Sequence, residues 1–137
     1  MRSRLRRARH RRLAEATRRA VQGWGLEILC LEPAEYSDSL TAIVMPDGVD
    51  ADHFRKNVLQ NFNMSLGAGL GQLAGRVFRI GHLGDFNELM LLGTLTGVEM
   101  GLKLSGVPHQ SGGVAKAMAY LTETTGHANV SAKKVPA

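Results

Sequence analysis

The sequence predicts an α+β fold, a small antiparallel sheet with helices packed on one face. Two observations carry this. Apolar residues recur at helical spacing in four segments, and short runs of β-forming residues lie between them, bounded by turn signals. The resulting order, α-β-β-α-β-β-α-α, has hairpin-like joins between its strands, which suits a layer of helices on an antiparallel sheet. At 137 residues the chain is long enough for one domain with a real core. No internal repeat is present.

Residues 4–22 read as the first helix. Leu13, Ala16, Ala20 and Trp24 share a stripe, and Gly23 and Gly25 stop it. Leu26 to Cys30 reads as a short strand and residues 32–39 as a loop. Leu40 to Met45 is a strand ending at the turn Pro46-Asp47-Gly48. Asp50 is placed to cap a second helix, with Val49 stapled against Phe54 across the cap and Phe54, Val58 and Phe62 on one face. Met64 to Gly67 suits a short strand, and Gly67, Gly69, Gly71 and Gly75 a loose, flexible loop. Val77 to His82 is the next strand. Asp85 or Asn87 would cap a third helix running to about Leu104, whose stripe Gly93, Gly97 and Gly101 would admit another backbone. Val114, Ala117, Met118 and Leu121 mark the last helix. The domain is expected over 8–125, with a basic N-terminal extension at 1–7 and a disordered tail at 126–137.

The net charge of +5 hides an asymmetry. Nine of the 17 basic residues fall in the first 19 positions, against the single acid Glu15, so the remainder carries 8 basic and 11 acidic groups, a net of −3. Nucleic-acid binding through Arg4, Arg7 and Arg11 is one reading of that start, and an amphipathic targeting peptide another. The plainer one is a helix with a buried face and a solvated basic face. No aromatic residues interleave with the arginines, which disfavours nucleic acid. Cys30, the sole cysteine, excludes an internal disulfide and a zinc-type cysteine cluster, so a reducing, cytoplasmic setting fits. No apolar run is long enough to span a membrane; the best, Leu89 to Val98, ends at Glu99.

Residues 75–84, Gly-Arg-Val-Phe-Arg-Ile-Gly-His-Leu-Gly, hold the chemistry. Arginine inside an apolar strand costs desolvation unless it meets an anion, and its planar fork matches a carboxylate. Arg79 is therefore half of a structural ion pair, with Asp85 the nearest acid, or the group that holds an acidic substrate. Spacing alone leaves both readings open. Strand alternation sets Val77, Arg79 and Gly81 on one face and Phe78, Ile80 and His82 on the other. The glycine loop lacks the Gly-Lys-Ser/Thr ending of a phosphate loop, and Gln72 breaks a dinucleotide fingerprint. The five histidines, His10, His53, His82, His109 and His127, have no metal-ligand spacing, and no nucleophile–base arrangement is evident.

These residues carry a resemblance. Residues 64–105, from Met-Ser-Leu-Gly-Ala-Gly-Leu-Gly through Gly-Arg-Val-Phe-Arg-Ile-Gly-His-Leu-Gly-Asp-Phe-Asn-Glu to Gly-Val-Glu-Met-Gly-Leu-Lys-Leu-Ser, resemble the C-terminal small domain of class V aminotransferases, most of all the serine–glyoxylate and alanine–glyoxylate group. The likeness extends over about residues 8–121. It implies that Arg79 binds the α-carboxylate of an amino or 2-oxo acid, with Gly81, His82 and the glycine loop at the edge of the site. It also implies pyridoxal phosphate as cofactor, held by a lysine and an acidic partner in a large domain. Lys56, Lys103, Lys116, Lys133 and Lys134 resemble no such motif, so the cofactor-binding residues are expected outside this chain. A fragment of this kind would be inactive without its large domain, and would self-associate or join a large-domain chain through exposed apolar surface.

Overall fold

The computed structural model describes residues 2–29, 40–81 and 87–126. Four helices and four short strands alternate in the expected order: α1 (Arg2–Gly23), β1 (Glu27–Ile28), β2 (Leu40–Val44), α2 (Ala51–Phe62), β3 (Gly67–Ala68), β4 (Val77–Gly81), α3 (Glu88–Leu104) and α4 (Gly113–Thr124). The sheet runs β1-β2-β4-β3, antiparallel throughout. β4 thus lies between β2 and β3, which point the same way and are joined through α2. This is a split β-α-β arrangement.

The pairing register sorts the sheet into two faces. Thr41 and Ile43 of β2 stand opposite Ile80 and Phe78 of β4, and Ile28 and Ala68 extend this face to the two edges. Ile43, Phe78 and Ile80 are fully buried in one core with Phe54 and Val58 of α2, Leu91, Leu95 and Leu102 of α3, and Leu13 and Trp24 of α1. The helices therefore cover this face. Phe54 meets Phe78 with ring centroids 4.8 Å apart. Glu27, Ala42, Val44, Val77, Arg79 and Gly67 belong to the other face.

Side chains set the helix ends. Asp50 caps α2 by accepting from the Asp52 N–H at 2.9 Å, and Asn87 caps α3 by accepting from the Met90 N–H at 2.9 Å. The alternative cap, Asp85, lies outside the described residues. Gly112 has no side chain to cap α4, and Glu99 of α3 does this instead. Its Oε1 accepts from Val114 N–H at 3.2 Å and from the Trp24 indole at 2.6 Å. Gly113 packs against α1 so tightly that a Cβ there would fall 2.4 Å from the Ala20 carbonyl oxygen.

Three local expectations are corrected. The strand expected at Met64 to Gly67 forms at Gly67–Ala68, because Met64 fills the space beside Gly97 and Leu66 is buried, its carbonyl accepting from Arg55 Nε at 2.9 Å. The glycine loop is a tight hairpin with a 3-10 turn at Gly71–Leu73, closed by Arg76 N–H to Leu73 O and Gly69 N–H to Val77 O. The glycine stripe of α3 admits side chains instead of a backbone: Met64 at Gly97, and Val58 with Phe54 at Gly101. Gly93 faces open space.

The basic helix is also more than a solvated face. Arg12 donates to Glu88 at the start of α3 (2.6 Å), and to the Leu121 carbonyl (2.8 Å), Thr124 (2.8 Å) and Thr125 at the end of α4. One guanidinium thus joins three helices.

Candidate functional site

Arg79 sits at the middle of β4, on the sheet face opposite the helices. Its cross-strand neighbours in the same row are Ala42 on β2 and Gly67 on β3. These are the two smallest side chains available, so the long guanidinium has room to lie across the sheet. It does so over Gly67: a Cβ built there would stand 3.1 Å from both Arg79 Cβ and Arg79 Nε. Arg79 Nε is fully enclosed and has no hydrogen-bond partner among the described residues.

The electrostatics of the face are simple. Among the described strand residues its other charged group is Glu27, at the far edge and in the row of Val44 and Val77. Arg79 makes no ion pair among the described residues. Arg79 is half-buried, and the acid-bearing segments 30–39 and 82–86 lie outside the described residues. The alternative partner, Asp85, lies outside the described residues, as does His82. Gly81 is exposed at the end of β4, opposite Leu40 and on the same face as Arg79. Sequence reasoning set the glycine loop that begins at Gly67 at the edge of the site, without pairing Gly67 itself to Arg79, and missed Ala42. Only the register brings them together, and neither carries a functional group that would draw notice.

Elsewhere several polar groups pair with one another, whereas His10 Nε2 is buried with no hydrogen-bond partner among the described residues. A groove of about 630 Å³ between α1 and α4 is lined by Glu15, Arg19, Lys116, Tyr120 and Glu123. Within it Arg19 bonds Glu15 at 3.1 Å and stacks on Tyr120. His53 is exposed on α2, and His109 Nδ1 lies 2.7 Å from the Val107 carbonyl oxygen. No group of three or more potential metal ligands occurs among the described residues, and no helix there is long and apolar enough to cross a membrane.

The described lysines do not fit a pyridoxal-phosphate site beside Arg79. Lys56, Lys103 and Lys116 are exposed on α2, α3 and α4, in the helical layer, whereas Arg79 is on the opposite face of the sheet.

The fold and this face define a small domain with one half-buried arginine on the sheet face opposite its helices. Serine–glyoxylate aminotransferase of Methylorubrum extorquens is 53% identical over 116 residues, which is 84% of this chain and 29% of that enzyme. The Arabidopsis thaliana serine–glyoxylate aminotransferase is 51% identical over 116 residues, 83% of this chain and 29% of the enzyme. Among solved structures, pyridoxamine–pyruvate aminotransferase from Mesorhizobium loti superimposes with a TM-score of 0.77 at 28% identity, covering 85% of this chain and 30% of that one. No protein-family model matches. The chain belongs with the class V aminotransferases, and corresponds to their C-terminal small domain. It spans 29% of the length of the two curated relatives.

Proposed function

We propose that this chain is the substrate-carboxylate-binding part of a serine–glyoxylate-type aminotransferase, occupying residues 8–125. Arg79 holds the α-carboxylate of the amino or 2-oxo acid. Gly81, bare at the strand end, and His82 just beyond it border the bound acid. The single observation behind this reading is the position of Arg79, laid across Gly67 on the sheet face that the helices leave open, with no acid beside it among the described residues.

Clamping the carboxylate fixes the orientation of the substrate's Cα, which a transamination requires. Pyridoxal phosphate, when bound, would supply the electron sink. The described residues offer no lysine to hold it, so a large domain, carried by another chain or by a longer form of this one, provides that half. The chain alone is then inactive.

The nucleic-acid reading gains no support from the arginines that are described. Arg12 is spent on Glu88 and α4, and Arg18 and Arg19 bond Glu15. The test of the main reading is direct. Added pyridoxal phosphate should give the purified chain no lysine-dependent absorbance band and no turnover of serine with glyoxylate. Glyoxylate should perturb the Arg79 side-chain resonances, an effect that Arg79→Ala removes. A band with turnover, or a response that survives Arg79→Ala, would refute it.

A further inference from the structure

The backbone does not explain why residue 67 is glycine. Its φ lies outside the left-handed region, so the strand conformation there would accept alanine. The space above it is instead taken by Arg79, whose Cβ and Nε stand 3.1 Å, and Nη2 3.6 Å, from where an added Cβ would lie. Nε is enclosed and has no partner among the described residues. A guanidinium grips a carboxylate either side-on, through Nε and one terminal nitrogen, or end-on, through Nη1 and Nη2. Enclosure of Nε removes the side-on mode.

We propose that Gly67 is a positioning residue. Its bare backbone seats Arg79 flat over β3, buries Nε, and presents only the Nη1/Nη2 fork, so that the substrate carboxylate is gripped end-on over the sheet edge. This rests on the reading of Arg79 as the carboxylate-binding group. It adds the mode of binding and the residue that sets it.

Side-chain nitrogen NMR on the full chain tests both, with Arg79 assigned by Arg79→Lys. The Arg79 Nε–H should exchange with solvent about tenfold or more slowly than that of exposed Arg11. Acetate and glyoxylate should shift the Arg79 Nη signals while Nε–H stays protected, and neutral acetamide should shift neither. Gly67→Ala should expose Nε–H and weaken acetate binding about tenfold. The same change in the Arg79→Lys background should alter acetate binding little, which a general structural effect would not produce. If Gly67→Ala does not fold, Ala42→Val, which crowds the row from the other strand, takes its place with the same expected readouts. Fast Nε–H exchange in the unaltered chain overturns the proposal, as does unchanged acetate affinity in Gly67→Ala. Should no Arg79 signal respond to acetate or glyoxylate while Gly67→Ala still releases a protected Nε–H, the carboxylate reading fails and the seating of Arg79 by Gly67 stands.

Discussion

Trp24 and Glu99 share a hydrogen bond of 2.6 Å between the indole Nε1 and Oε1, and this pair ties the end of α1 to the middle of α3. Because the same oxygen accepts from Val114 N–H, the carboxylate also completes the start of α4, where Gly112 offers no cap. Glu99→Ala leaves a buried indole donor and a helix start unsatisfied. It should cost about 2 kcal/mol, measured by denaturant unfolding. Glu99→Gln keeps an acceptor and should cost less.

This carboxylate gives stability a defined pH dependence. Burial pushes the Glu99 pKa up, but hydrogen bonds from Trp24 and from the Val114, Gly113 and Gly112 N–H groups outweigh that and hold it below the ordinary 4.5. Glu88 is lowered too, by its backbone N–H against the cost of burial, with help from Arg12. A depressed carboxyl pKa contributes stability that is fully present above the unfolded value and is lost as pH falls through the folded one. Unfolding free energy should therefore fall below about pH 4.5, and Glu99→Gln should flatten that fall. An unchanged acid limb in the variant would show that Glu99 is not responsible.

Arg12 and Arg11 are adjacent, yet they should behave differently. Arg12→Ala severs bonds to Glu88, Leu121, Thr124 and Thr125, and should destabilise by about 1–2 kcal/mol. Arg11 is exposed, and Arg11→Ala should stay within about 0.5 kcal/mol. Equal thermal midpoints for the two variants would refute the stapling role.

The glycine stripe of α3 splits in the same manner. At Gly101 an added Cβ would lie 2.5 Å from Val58 Cγ2, so Gly101→Ala should cost about 1–3 kcal/mol through overpacking. Gly93 meets nothing within 4 Å, and Gly93→Ala should gain about 0.8 kcal/mol in helix propensity. Opposite signs in thermal unfolding are the expected result.

What the sequence made legible follows from physics that is local. Asp50 and Asn87 announce their helices because a cap bonds to N–H groups two or three residues away. Alternation along β4 separates Arg79 from Phe78 and Ile80 without any knowledge of the sheet. The remaining contacts are long-range. Arg12 looks like one of many arginines on a basic face until α3 and α4 fold onto it, and Glu99 looks like the polar end of an apolar run until Gly112 arrives uncapped beside it. The resemblance points to Arg79, and the local β3–β4 hairpin sets Gly67 beside it, but Ala42 joins that row only through the pairing of β2 with β4 across α2 and β3.

The proposed role of Arg79 as the carboxylate grip of an aminotransferase half-site can be read out in a chimera in which this chain replaces the matching 29% of the Methylorubrum extorquens serine–glyoxylate aminotransferase. The chimera should bind pyridoxal phosphate and transaminate serine with glyoxylate. Arg79→Ala within it should lower kcat/KM about 100-fold while leaving the cofactor absorbance intact. Undiminished kcat/KM in that variant would show that Arg79 does not hold the carboxylate.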